Sequence, residues 1–311
     1  MSYHILHLIG TDIRVRVEQN RFEITEKSNG RVSYVPIEDV AIVISATPDL
    51  ILTGAVLRKM AEYRILYLIC DEKFQPSGIF TPYYSVTSNE TFKSQLVWSE
   101  SFKKSVWKKI VNAKIRTQAD ALPKENLTRE RMIKFSERLE RQKKEEATAE
   151  SIAARWYWSA FFSELGEITP RKYRTHIGVN GFLDYGYAVA RSAVLRSLAC
   201  HGFISAIGIR HSTKPGAHPL ADDLVEPLRG MVDFKLCKWC KENKNFDEIK
   251  SWSIAATSLL TEIVIMNNCK IRLLNAIDLM IESLKEASHK KDTELLRFPR
   301  IMNKDAATRA A

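Results

Sequence analysis

The sequence predicts an α+β fold in which a β-rich N-terminal domain precedes a larger all-α domain. Apolar and charged residues alternate from residue 13 to residue 18, which is typical of a half-buried strand. Two short continuous apolar runs, at 40–44 and 65–70, indicate strands covered on both faces. From about residue 90 onward, long stretches carry apolar residues at helical spacing. We therefore expect a β-rich domain over 1–85, a linker over 86–95, a helical domain over 96–296 and a loosely ordered tail over 297–311.

Shorter signals fill in the N-terminal domain. The dipeptide Gln19-Asn20 predicts a turn between the first strand and the next one. Apolar residues at helical spacing predict one short helix over 51–62. Residues 76–78, Pro-Ser-Gly, together with Pro82, predict a turn and the end of this domain.

The helical domain begins with apolar residues at four-residue intervals, namely Trp98, Phe102, Val106 and Ile110. Residues 125–150 are dense in alternating charge, which indicates a solvated helix. Glu150 ends that run and opens an aromatic stretch, so it lies at the entry of a buried helix. Further buried helices are expected over 185–207 and 252–287.

Composition restricts the class of function. The chain has 311 residues, a formal net charge of +10 and a pI near 9.3, which favours an anionic partner such as nucleic acid. It contains neither a signal peptide pattern nor an apolar stretch long enough to cross a membrane, so we expect a cytoplasmic protein. Cys237 and Cys240 form a lone CxxC, which indicates ordinary thiols and not a zinc site.

The segment 208–229 carries the densest chemistry. Asp222, Asp223 and Glu226 share one face of a helix, and their mutual repulsion calls for a cation, either a metal ion or the nearby basic side chains of Arg210, Lys214 and Arg229. Hard divalent cations prefer carboxylate oxygen and accept imidazole, which either His211 or His218 could supply.

Two features of the same segment qualify the metal interpretation. The acids could also merely cap a helix, since Pro227 places Glu226 near a helix start or at a kink. A metal site also needs a further ligand from elsewhere in the chain. Glu150 is the best candidate for it, although its local pattern does not establish proximity.

These motifs together resemble the CRISPR-associated integrase family, the protein-one nuclease of spacer acquisition. The resemblance covers nearly the whole chain. It rests on the segment 35–44, on the stretch NGFLDYGY at 180–187, on His211 after an IG-x-x-H-like pattern, and on Glu226 in DLVEPLR. The stretch 182–189 looks most like the family's type II branch.

The resemblance implies a function and a set of site residues. Such enzymes insert short DNA fragments into a CRISPR repeat array, in adaptation and antiviral defence, by 3′-hydroxyl attack on repeat phosphodiesters. The resemblance makes Glu150, His211 and Glu226 the catalytic ligands of Mg²⁺ or Mn²⁺. Auxiliary positions are Asp223, Asn180 and Tyr185. The candidate DNA contacts, chosen for charge and for closeness in sequence to the site, are Arg210, Lys214, Arg171, Lys172 and Arg174.

The resemblance also implies partners. They are double-stranded DNA, a second copy of this chain with the β-rich domain in dimerisation and DNA contacts, and a dimer of the small CRISPR-associated protein two. The type II branch adds an effector nuclease and an accessory DNA-clamp protein. Two other functions fit the residues, namely a basic DNA-binding module without catalysis and a metal-dependent nuclease of branched DNA in repair or recombination.

Overall fold

The computed structural model describes residues 4–71, 76–80, 89–141, 148–166, 171–172, 178–211, 218–243 and 249–302. It confirms the α+β class, with β-sheets at the N-terminus and a helical region after them. The strands of the N-terminal region are β1 (His4–Leu8), β2 (Ile13–Glu18), β3 (Arg21–Glu26), β4 (Arg31–Pro36), β5 (Val40–Ser45), β6 (Ile51–Leu52), β7 (Leu66–Cys70) and β8 (Pro76–Phe80). Helix α1 (Gly54–Glu62) lies between β6 and β7, where the sequence predicts the one short helix.

Two four-stranded sheets make up this region. One has the order β4-β3-β2-β6, and its β2–β3 turn is formed by Gln19 and Asn20, both at positive φ, as predicted. The other has the order β1-β5-β7-β8, with β1, β5 and β7 parallel. All six residues of β5 are buried, which confirms the interpretation of the apolar run at 40–44.

The predicted turn at 76–78 is wrong, because these residues begin β8, which pairs antiparallel with β7. Proline is tolerated here because it opens a strand at the sheet edge, where its missing N–H removes little pairing. Gly78 pairs with Ile69, and the register then shifts by one residue, so that Cys70 pairs with Pro76.

The helical region contains α2 (Asn89–Leu96), α3 (Glu100–Ala121), α4 (Leu127–Arg141), α5 (Ala149–Glu164), α6 (Gly178–His201), α7 (Pro219–Val225), α8 (Arg229–Glu242), α9 (Ile249–Ser258) and α10 (Leu273–Lys290). The segment predicted as a linker holds α2, which packs on α10. The Gln95 amide donates to the carbonyl oxygens of Ile204 and Ile207 at 2.9 and 3.0 Å. The linker is therefore an integral helix of the domain.

The helical region is not purely helical. Strands β9 (Ile263–Met266), β10 (Cys269–Arg272) and β11 (Arg300–Ile301) form a small sheet in the order β10-β9-β11. The helix predicted across 252–287 is therefore interrupted by a hairpin whose turn residues, Asn267 and Asn268, both have positive φ. The tail predicted from 297 is also ordered at its start, because β11 pairs with β9.

Helix α3 lies at the centre of the helical region, in contact with α4, α5 and α8. Gly230 permits the closest of these contacts, since a Cβ there would lie 2.3 Å from the carbonyl carbon of Thr117. The Thr117 hydroxyl also donates to the carbonyl oxygen of Pro227 at 2.8 Å. The start of α8 is thereby fixed against the C-terminal part of α3. Within the described part of the chain, no helix is long and apolar enough to cross a membrane.

Candidate active site

Glu226 begins a short 3-10 helix, Glu226–Leu228, that joins α7 to α8, so it lies at a helix start, one of the two positions predicted from Pro227. Its side chain is only 7% exposed. Arg229 Nη2 lies 2.9 Å from Oε1, and Lys114 Nζ lies 2.6 Å from Oε2. Burial works to raise the pKa of Glu226, but Arg229 and Lys114 outweigh it and lower that pKa to about 2. The carboxylate is therefore ionised at neutral pH.

Glu150 lies in the first turn of α5, as its position in the sequence predicts, and its side chain is 39% exposed. Lys114 Nζ donates to Glu150 Oε1 at 2.6 Å. One ammonium group thus contacts both acids, so their nearest oxygens lie within twice 2.6 Å of each other. Burial works to lower the pKa of Lys114, but Glu226 and Glu150 hold it above its ordinary value.

His211 is held by Asp223. Its Nδ1 lies 2.6 Å from Asp223 Oδ1. Asp223 is fully buried and also accepts the backbone N–H groups of Ile209, Arg210 and His211 at 2.6, 3.0 and 3.3 Å. When Nδ1 donates to this carboxylate, the lone pair of the neutral ring is on Nε2, which is the tautomer of a metal-ligating histidine.

The other two candidates of the segment have local roles. His218 Nδ1 lies 2.7 Å from the Ser205 hydroxyl, and Asp222 pairs with Arg191 at 2.5 Å. These contacts anchor α7 to the preceding loop and to α6. They leave His211 as the better-placed imidazole of the two.

The donor set has the chemistry of a hard-cation site. Glu226 Oε2 is enclosed without a hydrogen bond of ordinary geometry, and Glu150 brings a second carboxylate to the same cation. Among the described residues, no three acidic, histidine or cysteine side chains converge closely enough to hold a metal. The cation that joins the two glutamates is Lys114. Glu150 and Glu226 therefore have the chemistry of divalent-ion ligands, and an ammonium group lies where their carboxylates meet.

A cavity of about 260 Å³ adjoins this cluster. It is lined by Lys114, Gln118, Glu150, Ser151, Ala154, Trp158 and Arg229. Gln118 is buried, and its amide nitrogen is enclosed without a hydrogen-bond partner. The lining of the cavity thus combines two cationic side chains with an amide donor. Such a lining suits an anionic group.

A second buried carboxylate supports the helices of the site. Asp233 of α8 accepts the Tyr157 hydroxyl at 2.6 Å and the Tyr187 hydroxyl at 2.5 Å. Burial raises the pKa of Asp233 to about 6. Arg229 lies over the Tyr187 ring, 4.5 Å from its centroid, and so connects this cluster to Glu226.

Sequence reasoning missed Lys114, Asp233 and Gln118, and it named Arg229 only among the basic residues of the segment. Arg229 had a signal, because it lies three residues after Glu226, at the spacing of side chains that meet on a helix. Lys114 had none, since it is one of several lysines and arginines along α3.

The predicted auxiliary residues Asn180 and Tyr185 have contacts of their own. Asn180 accepts Arg171 Nη1 and the backbone N–H of Lys172, both at 2.9 Å. Tyr185 is fully buried near Cys70 of β7, where burial raises its pKa, so it packs between α6 and the N-terminal sheet. Asp223, the third auxiliary residue, contacts the predicted ligand His211.

The predicted DNA contacts differ in exposure. Arg210 and Lys172 are exposed, as a phosphate contact requires. The Arg171 side chain is only 4% exposed and pairs with Asp184 at 2.5 Å, which does not favour a phosphate contact. Lys214 and Arg174 lie outside the described residues.

Known proteins are similar to this chain in sequence over most of its length. The family model described as CRISPR associated protein Cas1 matches residues 6–251. The CRISPR-associated endonuclease Cas1 of Neisseria meningitidis serogroup C (strain 8013) is 30% identical over 294 residues, which are 92% of this chain and 93% of the relative. CRISPR-associated endonuclease Cas1 2 of Pyrobaculum aerophilum is 26% identical over 74% of this chain and 80% of its own length.

Solved structures share the fold at lower identity. A casposase bound to integration product aligns with a TM-score of 0.76 at 18% identity, over 100% of this chain and 98% of its own. TM1797, a CAS1 protein from Thermotoga maritima, aligns at 0.76 and 17% identity, over 92% and 97%. A chain of a Cas6-RT-Cas1–Cas2 complex aligns at 0.73 and 18% identity, over 95% of this chain and 36% of its own.

Proposed function

Since the chain belongs to the CRISPR associated protein Cas1 family, we propose that it is a metal-dependent DNA endonuclease and integrase of CRISPR adaptation. The substrate is a short DNA fragment with free 3′-hydroxyl ends, and the target is a CRISPR repeat. The observation that carries the proposal is the meeting of Glu150 and Glu226 at one cation, beside a cavity lined by cationic and amide donors.

Each strand transfer exchanges one phosphodiester for another. A fragment 3′-oxygen forms a new P–O bond to a repeat phosphorus, the repeat's own P–O3′ bond breaks, and the departing oxygen becomes a 3′-hydroxyl. The nucleophile belongs to DNA, so no side chain needs to form a covalent bond. Glu150, His211 and Glu226 would hold Mg²⁺ or Mn²⁺, which when bound polarises the scissile phosphate and offsets charge on the oxygens.

The chain's own residues position these groups. Asp223 orients His211 with Nδ1 as donor and fixes the loop that carries it. Arg229 lowers the pKa of Glu226 and so keeps this nearly buried carboxylate ionised. Gln118, whose buried amide nitrogen needs an acceptor, would donate to a phosphate oxygen in the adjoining cavity. Exposed Arg210 and Lys172, with the net charge of +10, favour binding of the DNA backbone.

The partners follow from the family. We include a second copy of this chain and a dimer of a Cas2 companion, because the fold is shared with a chain in a Cas6-RT-Cas1–Cas2 complex. The type II branch, with its effector nuclease and DNA-clamp protein, stays a prediction.

The test is a joining assay with the purified protein, its companion, Mn²⁺ and a labelled fragment. Glu150→Ala should lower the yield of joined product to less than about a hundredth of wild type, because a ligand carboxylate is lost, while fragment binding persists. Glu130→Ala is the matched control, since Glu130 also pairs with a lysine at 2.6 Å but lies on the exposed face of α4.

The alternatives give different products. Undiminished joining by Glu150→Ala would reject the ligand assignment. Cutting of branched DNA by the wild type, without joined products, would favour the repair nuclease. Binding with no chemistry at all would favour the non-catalytic module.

A further inference from the structure

The ammonium group of Lys114 lies at the point where the two predicted ligand carboxylates meet, 2.6 Å from an oxygen of each. Only 11% of this side chain is exposed, although lysine is usually at the surface. We propose that Lys114 is a resident cation, which holds Glu150 and Glu226 together in the metal-free protein and gives way when a divalent ion binds. This inference rests on the proposed function, because it concerns the same pair of ligands.

The charges explain why a resident cation is needed. Two carboxylates within twice 2.6 Å of each other repel, and the repulsion is strong where one of them is nearly enclosed. Arg229 compensates Glu226 at its other oxygen, but Lys114 is the cation that contacts both acids. Without Lys114, the two carboxylates of the metal-free site would lie close together with a negative charge that Arg229 alone does not balance.

The same charges make Lys114 and a divalent ion mutually exclusive at this point. An ion bound to both glutamate oxygens would occupy the space of an ammonium group 2.6 Å from each of them. The two positive charges would also repel in a poorly solvated place. Binding of the ion must therefore displace Lys114, and the energy of its two ion pairs is subtracted from the affinity for the ion.

The cavity beside the two glutamates offers space for the displaced Lys114 side chain. Lys114 lines the cavity of about 260 Å³, and its four-carbon stem turns freely once the ion pairs are broken. The amide nitrogen of Gln118, which lacks a hydrogen-bond partner, lines the same cavity. Lys114 would thus pass from the carboxylates to the space where a phosphate is expected.

The experiment is a calorimetric titration of the full-length protein with MnCl₂, without DNA. Lys114→Met keeps the length of the side chain and removes its charge, so the apparent Kd for Mn²⁺ should fall at least about tenfold, because the competing cation is gone. Lys114→Arg keeps the charge and should stay near the wild-type Kd. Lys109→Met is the matched control, since Lys109 is on the same helix and pairs with Glu294 at 2.8 Å, away from the site.

A second measurement uses the wild-type protein, in case Lys114→Met folds poorly. Acylation of lysines is followed residue by residue with and without saturating Mn²⁺. Lys114 should react several-fold faster when the ion is present, and Lys109 should not change. An unchanged or weaker affinity in a folded Lys114→Met variant, or an unchanged Lys114 reactivity, would overturn the inference while the joining assay still stands. Absence of any Mn²⁺ binding by the wild type would instead reject the metal-dependent function.

Discussion

Two pairs of carboxylates in the helical region are held in opposite ways. Glu150 and Glu226 are countered by charged partners, Lys114 for both and Arg229 for Glu226. Asp223 and Asp233 are fully buried and are held by N–H and O–H donors from the backbone, a histidine and two tyrosines.

The difference separates an exchangeable site from its fixed support. A cation beside a carboxylate can be replaced by another cation of suitable charge. Backbone N–H groups and tyrosine hydroxyls cannot leave without unfolding the elements that carry them. We therefore expect changes at Asp223 and Asp233 to act on stability first, and changes at Glu150 and Lys114 to act on metal binding and catalysis.

The largest effect on stability is expected from Asp223→Ala. The variant removes the acceptor of three backbone N–H groups, of which that of Ile209 is buried and those of Arg210 and His211 are partly buried, and it releases the His211 side chain. The free energy of unfolding should fall by about 3–5 kcal/mol, as measured by urea denaturation.

Asp222→Ala is the control for this variant, because it removes the neighbouring carboxylate from a partly exposed pair with Arg191. The free energy of unfolding of Asp222→Ala should fall by no more than about 1 kcal/mol. Equal losses in the two variants would show that Asp223 is not the fixed support described above.

A smaller effect, visible as a pH dependence, is expected at Asp233. Its pKa is raised by burial from the ordinary 3.8 to about 6, so the folded protein binds a proton more tightly than the unfolded chain. The stability contributed by this proton is complete below about pH 4 and is lost as pH rises through 6. The two-unit difference corresponds to roughly 3 kcal/mol.

Asp233→Asn cannot titrate, so its stability relative to wild type should improve as pH rises from 4 to 7. Urea denaturation at several pH values measures this difference. Parallel pH profiles for the two proteins would contradict a buried, titrating Asp233.

The sequence predicted those features that depend on neighbours in the chain. Alternation identified β2, the Gln19-Asn20 dipeptide identified its turn, and Pro227 indicated a helix start or a kink at Glu226, where a short helix does begin. The hairpin at 263–272 was missed because its apolar residues also fit a helical spacing, and only the Asn267-Asn268 pair marks the turn.

The site was predictable only in part, for the same reason. The likeness to a family selected Glu150, His211 and Glu226, and Asp223 does contact His211. Lys114 was not predictable, because its role comes from the packing of α3 against α5 and α8. Arg171 looked like a surface cation in the sequence, yet tertiary contacts with Asp184 and Asn180 bury it.

The smallest predicted effect, at Gly230, tests whether the contact between Lys114 and Glu226 depends on the packing of α3 against α8. In Gly230→Ala the new Cβ would lie 2.3 Å from backbone atoms of Thr117, which cannot move aside as a side chain tip can. Helices α3 and α8 must separate, at a cost of about 1–3 kcal/mol. Because Lys114 is on α3 and Glu226 lies just before α8, the separation should also loosen their contact and weaken joining activity.

Gly54→Ala is the control, since a Cβ at Gly54 meets no atom within 4 Å. This variant should have the wild-type melting temperature or a slightly higher one. A Gly230→Ala variant that melts lower but joins DNA at the wild-type rate would show that the contact between Lys114 and Glu226 tolerates movement of its frame.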